Sequence, residues 1–375
     1  MMNPVRISRD LAAFSVLGLG ALLWPVWADS GANHQKRNQH FGVSAGNAND
    51  RSRAFCCGGT AGALLQDSGS GRYALSNNHV FARSDQAAVG EQIIQPGLID
   101  VGCRASSATV IGSLSPYPRL GTNVDAAAAA LNSGTMDPTG FIEDVGQVSG
   151  TTTATIGQSV AKSGRTTGLT TGTIEAVNAT VSVQYQRGCG QGKKFVVSYQ
   201  NQIVTSGGMI AGGDSGSLLV DNSCRAVALL FAGDSTGRAI GNPIGEVLTK
   251  LGGAMGKTLS FVTGGTCLLS GPSAASGVAS RGRGPSQSVI ELVRSVLEEH
   301  KPELLRGPVI GTGVGVADDN PLEAVIVVYI DRTQGLRPEL PAQVRGIRLK
   351  RVFTDPFVAL PACAACGGAE SGRCK

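Results

Sequence analysis

The amino-acid sequence predicts a mainly β protein with a small α+β unit near its C-terminal end. Three observations carry that prediction. Glycine makes up 53 of 375 residues, about 14% and twice the usual ~7%, without a collagen period, which implies many tight turns between short strands. Apolar runs of four to eight residues recur between Gly, Pro, Asn and Asp clusters. A helical period is sustained in only one late stretch, roughly 286–301, where Ile290, Leu292, Val293, Val296 and Leu297 share one face.

Taken in order, the chain begins with a basic start (Arg6, Arg9), an apolar run from Leu11 to Trp24 and a small residue at Ala28. That is the pattern of a secretory signal peptide over 1–28. Its removal would lower the formal charge from +5 to about +4. Residues 29–50 are polar, and His34 and His40 within them have no evident acidic partner, so both are expected on the surface. Gly62–Gln66 and Tyr73–Ser76 bracket Asp67-Ser-Gly-Ser-Gly71 and read as a hairpin. The second strand runs into Asn77-Asn78-His79. Ile93-Ile94 and Val110-Ile111 follow, and then Asn123-Val124-Asp125, where a lone acid enters a run of alanines.

Further strands are expected at Thr153–Ile156, Thr171–Ala179, Val181–Gln184, Phe195–Tyr199 and Ile203–Thr205. The last leads into Gly212-Gly213-Asp214-Ser215-Gly216-Ser217, with the apolar run Leu218-Leu219-Val220 behind it. Ala226–Phe231 is the next strand, and a helix of one to three turns is expected over Gly245–Leu251.

The glycine-flanked Ser215 sets the chemistry. A serine hydroxyl needs a base beside it to act as a nucleophile, and backbone N–H groups to hold the oxyanion formed on attack. His79 and Asp125 precede it; Asp125 follows His79 by 46 residues. Asp100 is a rival acid, but lies close after His79 and ranks below Asp125. The order His, Asp, Ser is one of three in which this triad occurs on unrelated folds.

The segments Leu75–Ala82, Asn123–Ala128 and Gly212–Leu218 resemble the three catalytic motifs of secreted bacterial chymotrypsin-like (trypsin-like) serine peptidases. Gly164-Arg-Thr-Thr-Gly-Leu-Thr170 resembles a strand–turn–strand segment of the same group. Two departures from animal members stand out: Ser217 occupies the place of a second glycine, and no cysteine directly follows His79. The resemblance implies a chymotrypsin-like double β-barrel over 29–255, with barrels at about 41–144 and 145–255 and a catalytic cleft between them. It implies His79, Asp125 and Ser215 as catalytic residues, the N–H groups of Gly213 and Ser215 as the oxyanion hole, and Phe231, Ala232 and Gly233 as one wall of the substrate pocket. Met209 falls near the pocket base, where it either selects apolar or small residues or serves as packing. Asp214 is expected to be a structural hydrogen-bonding residue.

Residues 256–287, with the Gly/Ser/Pro-rich stretch 271–287 at their end, read as a linker. An α+β unit over 288–360 follows, its helix expected to stop at Pro302, with His300 exposed on it. This unit resembles small domains attached to such peptidases. Gly311-Thr-Gly-Val-Gly315 lacks the spacing of a phosphate loop and reads as a strand.

Residues 361–375 form a cysteine-containing tail. The nine cysteines fit an exported protein with disulfides, in a connectivity that sequence does not give. Cys363, Cys366 and Cys374 without a nearby histidine favour disulfides over zinc.

The expected function is a secreted or periplasmic serine-type endopeptidase acting on polypeptides, with neither metal nor cofactor. Its basic residues are scattered, so no nucleic-acid partner is expected, and none in the membrane after leader removal; oligomeric state is left open. An inactive protease-like binding protein and an esterase using the same triad are the alternatives.

Overall fold

A computed structural model of the chain describes residues 32–35, 39–190, 192–269, 284–359 and 361–366. The expected leader over 1–28, much of the linker and Cys374 lie outside these residues. A short helix α1 (Ala32–Gln35) precedes the first sheet. Its strands are β1 (Val43–Asn47), β2 (Phe55–Ala61), β3 (Ala63–Asp67), β4 (Arg72–Ser76), β5 (Gln92–Gln95), β6 (Thr109–Leu114) and β7 (Ala127–Leu131). They lie in the order β3-β4-β7-β6-β5-β1-β2.

Alanine runs ordinarily favour helix, yet Ala127–Ala129 form a strand with every side chain fully buried. Both faces of β7 are packed, and only small side chains fit there. β7 pairs with β4, Leu75 opposite Ala128. The one-turn helix α2 (Asn78–Phe81) follows β4 at the sheet's end. Leu64, Leu65, Leu75, Ile93 and Ile111 line the interior.

The second sheet comprises β8 (Gly150–Thr151), β9 (Ser159–Gly164), β10 (Gly168–Gln186), β11 (Lys194–Thr205), β12 (Leu218–Asp221), β13 (Arg225–Gly233) and β14 (Ala239–Pro243). β11-β14-β13-β12-β9-β10 run side by side, and β10 pairs back onto β11, closing the barrel. The stretch 153–156, expected as a strand, is a loop; the nearby β8 instead pairs with β13. The two runs expected at 171–179 and 181–184 are one long strand. It bends where its pairing to β11 slips between Ala176 and Val181, and Asn178 there has φ 51°, the signature of bulged, twisted strands.

Helix α3 (Ile244–Met255) outruns the expected seven residues and closes on Gly256 in the left-handed region. The chain does not become a free linker at 256. β15 (Leu259–Phe261) pairs with β3 on the edge of the first sheet, and Cys267 is disulfide-bonded to Cys224. Phe261 is buried in the first core, which holds this segment down.

Helix α4 (Gln287–Leu304) begins where Ser286 Oγ accepts from Val289 N. It runs past Pro302. A proline in the final turn removes one intrahelical bond, the chain still closes with Leu305 N donating to Lys301 O at 2.9 Å, and Leu304 is buried. β16 (Val309–Val316), β17 (Ala324–Asp331), β18 (Gln343–Val344) and β19 (Ile347–Thr354) extend the second sheet, because β16 pairs with β10, Ala176 opposite Gly315. Ile290, Val293, Val296, Leu297 and Leu304 of α4 pack in one core with Ile174, Ile203, Val314, Ile326 and Val328. Each such side chain contributes roughly 1.5–3 kcal/mol of burial. The α+β unit and the second barrel therefore share a core.

The chain then turns back. β20 (Phe357–Ala359) pairs with β10 and β13, and β21 (Ala362–Ala365) pairs with β2 at the edge of the first sheet.

Candidate active site

His79 lies in α2, between the end of β4 and the loop bearing Asp85. Its ring Nδ1 is 2.6 Å from Asp125 Oδ2, and its backbone N–H donates to Asp125 Oδ1 at 3.1 Å. Both side chains are buried. Asp125 is fixed from further directions. Its N–H donates to Asn242 Oδ1 (2.9 Å), its carbonyl accepts from Asn77 Nδ2 (2.7 Å), and its Oδ2 also accepts from the Tyr185 hydroxyl (2.8 Å). Tyr185 in turn meets Tyr199 hydroxyl to hydroxyl at 2.7 Å. Burial and the nearby carboxylate hold the Tyr185 phenol well above its ordinary pKa, so it stays a neutral donor. A carboxylate facing Nδ1 places the ring proton there and leaves Nε2 as the basic lone pair. That Nε2 is buried and has no hydrogen-bond partner among the described residues.

Ser215 sits in the turn between Ile210 and β12. Its carbonyl accepts from Thr60 N at 2.9 Å, and its Oγ donates to Phe231 O at 3.4 Å. Among the described residues the hydroxyl is not bonded to His79. Gly213 has φ 99°, a conformation that favours glycine. The N–H groups of Gly213 and Ser215 donate to no group among the described residues. Gly62 is required by close approach: a Cβ there would collide with the Gly216 carbonyl.

Asp214 points away from the serine. Its Oδ1 accepts from Thr166 N (2.8 Å) and Thr167 N (3.1 Å), and its Oδ2 from Thr167 Oγ1 (2.7 Å) and Ala211 N (2.9 Å). Lys162 Nζ stands 3.4 Å from the same Oδ2, with both side chains wholly buried. Burial lowers the Lys162 pKa, and Asp214 opposes that shift. The strand–turn–strand segment is thus the clamp on the serine loop. Asp100 is bound in bidentate fashion by Arg165 (2.6 and 2.8 Å) and stands apart from His79 in this network.

The pocket residues divide. Phe231 is buried and packs on Tyr199, ring centroids 4.9 Å apart. Ala232 and Gly233 pair with Ala359 and Val358. Met209 is fully buried in the second core with Ile174, Ile203 and Ile210. Both expected surface histidines have an acid close by, and only His34 is buried, the His40 side chain being 38% exposed as expected. His34 is 4% exposed and meets Asp144 at 3.0 Å, while His40 lies 3.4 Å from Glu143; both acids are remote in sequence. His300 is on α4, 3.5 Å from Glu303.

A cavity of about 710 Å³ adjoins His79 and is lined also by Asp50, Tyr185, Cys57, Cys189, Ala359 and Pro361. Asp50 escaped the sequence reading because it lies in a polar turn with no motif around it. Burial pushes its carboxyl pKa up to about 7, against the opposing charges of Arg83 and His79.

Cys56 bonds to Cys103, with Cys366 close by. Cys57 is in bonding contact with both Cys189 and Cys363. No helix among the described residues is long and apolar enough to cross a membrane.

No protein-family model matches the chain, and no curated protein does. Among solved structures, the chain is similar to a glutamic-acid-specific serine protease described as using a histidine triad in substrate binding. Identity is 24%, over 59% of this chain and 98% of that one, with a TM-score of 0.42. It is similar to Cellulomonas bogoriensis chymotrypsin at 20% identity, over 61% and 100%, TM-score 0.41. For Thermobifida fusca protease A the values are 21%, 56% and 97%, with a TM-score of 0.39.

Proposed function

We propose that the chain is an exported serine endopeptidase that cleaves polypeptides through an acyl-enzyme. The observation that carries this reading is the buried His79–Asp125 pair at 2.6 Å, which leaves His79 Nε2 as an unpartnered base in the same fold as a glycine-flanked serine. Ser215 Oγ leaves the Phe231 carbonyl, donates its proton to His79 Nε2 and attacks the substrate carbonyl carbon. Asp125 holds the imidazole in the required tautomer and stabilises its charged form. The N–H groups of Gly213 and Ser215 receive the oxyanion, each such donor being worth about 10²–10³ in rate. His79 then returns the proton to the leaving amine, and water repeats the sequence to release the acid. The disulfides fit an oxidising, extracellular or periplasmic location.

The test is a fluorophosphonate probe with casein hydrolysis alongside. Labelling confined to Ser215, and loss of turnover by more than about 10³-fold in Ser215→Ala at unchanged melting temperature, are expected. Hydrolysis of esters with no hydrolysis of peptides would replace the endopeptidase with an esterase. No labelling under any redox condition would leave a binding protein.

A further inference from the structure

The segment after Asp355 runs past the serine loop on both sides. Before it, β20 lies antiparallel to β13, Val358 opposite Gly233 and Ala359 opposite Ala232. These follow directly on Phe231, the residue whose carbonyl holds Ser215 Oγ. Beyond it, β21 lies antiparallel to β2, Ala362 opposite Gly58, two residues from Thr60, whose N–H binds the Ser215 carbonyl. Between the two, a methyl group placed on Gly213 would come within 2.9 Å of Ala362 Cβ, and one on Gly212 within 3.8 Å of the Pro361 carbonyl. Ala359 and Pro361 share the cavity of His79. An extended segment that adds a strand to two sheet edges, one on each side of a nucleophile, binds as a peptide ligand does.

The same segment is secured by sulfur. Cys363 stands opposite Cys57 in the β2–β21 register, and Cys57 Sγ touches both Cys363 and Cys189. A divalent sulfur carries one disulfide at a time, so this trio holds one disulfide and one thiol. Cys57 and Cys189 are buried and Cys363 is exposed.

We propose that residues 357–359 and 361–366 are an intramolecular occupant of the peptide cleft, locked by a Cys57–Cys363 disulfide and released when Cys57 exchanges onto Cys189. In the exchange the Cys189 thiolate attacks Cys57 Sγ. The Cys57–Cys189 bond forms, the Cys57–Cys363 bond breaks, and Cys363 leaves as a thiolate that takes up the proton Cys189 gave up. No oxidant or reductant is consumed. The tether keeps the segment at high effective concentration; without it, only strand pairing opposes an incoming substrate. This rests on the peptidase reading of the cleft, and its test separates the two.

The experiment compares full-length wild-type protein with Cys363→Ser and Cys189→Ser. Disulfides are mapped without reduction, amide hydrogen exchange is followed at 55–58 and 232–233, and the rate of fluorophosphonate labelling is measured; circular dichroism confirms folding. Expected are a Cys57–Cys363 linkage in Cys189→Ser, with amides as protected as in wild type or more so and slowed labelling. In Cys363→Ser those amides should exchange at least about tenfold faster, with labelling at least about tenfold faster. Equal exchange in the two folded variants, or Cys363 mapped exclusively to a partner other than Cys57, overturns the proposal. If exchange responds as expected while neither variant labels, the cleft occupant stands and the peptidase reading fails.

Discussion

The Tyr185 hydroxyl donates to the same Asp125 oxygen that faces the His79 ring, at 2.8 Å. One carboxylate oxygen thus serves a base and a phenol from the opposite barrel. Tyr185→Phe removes one of the donors that orient Asp125 and leaves Tyr199 without its hydroxyl partner. A bond to a charged group contributes about 1.5–3 kcal/mol. The expected outcome is a stability loss in that range by urea denaturation, with kcat falling up to about tenfold and KM little changed. A Tyr185→Phe protein with unaltered stability and kcat would show the hydroxyl to be idle.

Asp50 gives a pH prediction whose sign is fixed. Its folded pKa is raised to about 7 from an ordinary 3.8. Between those values the unfolded chain has lost the proton and the folded chain keeps it, so stability declines as pH rises, by about 1.4 kcal/mol per unit. Asp50→Asn removes that slope. Relative to wild type, the variant should gain stability from pH 4 upward, with the difference complete above pH 7. Urea melts at pH 4.5, 5.5, 6.5 and 7.5 measure it, and parallel curves would refute it.

Lys162 and Asp214 form a pair with both side chains wholly buried. Removing one partner strands the other charge in the interior, at a cost of about 3–5 kcal/mol. Lys162→Met should lose that much by chemical denaturation, and the double change with Asp214→Asn should recover part of it. Turnover should fall in both, because Asp214 also binds Ala211 N and Thr166 N. Additive losses in the double variant would argue against coupling.

Gly62 faces the Gly216 carbonyl so closely that a methyl group displaces one of them. Gly62→Ala should cost about 1–3 kcal/mol and slow probe labelling of Ser215 at least about tenfold. Unchanged labelling would show that the serine loop does not depend on this contact.

What was legible in the sequence was local. The strand entering His79 and the glycines around Ser215 are short patterns whose physics lies within a few residues. Asp214 could be set apart from catalysis, yet its partner Lys162 carries no signal, because a buried lysine looks like any other until its surroundings are known. His34 and Asp144 meet across 110 residues, and no periodicity marks such a pair. Pro302 ends helices by its own chemistry, but burial of Leu304 carried α4 two residues further. The return of β20 and β21 was hidden for the same reason: which edge a strand adopts depends on edges left open elsewhere.

The pairing of β16 with β10 has a bearing on biosynthesis. A nascent polypeptide that has emerged only as far as α3 presents β10 with that edge bare and much of the second core unroofed. Chaperones or translocation in an extended state would have to shield it until residues 309–316 arrive. Maturation should therefore finish after chain completion, and ribosome-stalled fragments ending near residue 255 should stay protease-sensitive where the whole polypeptide resists.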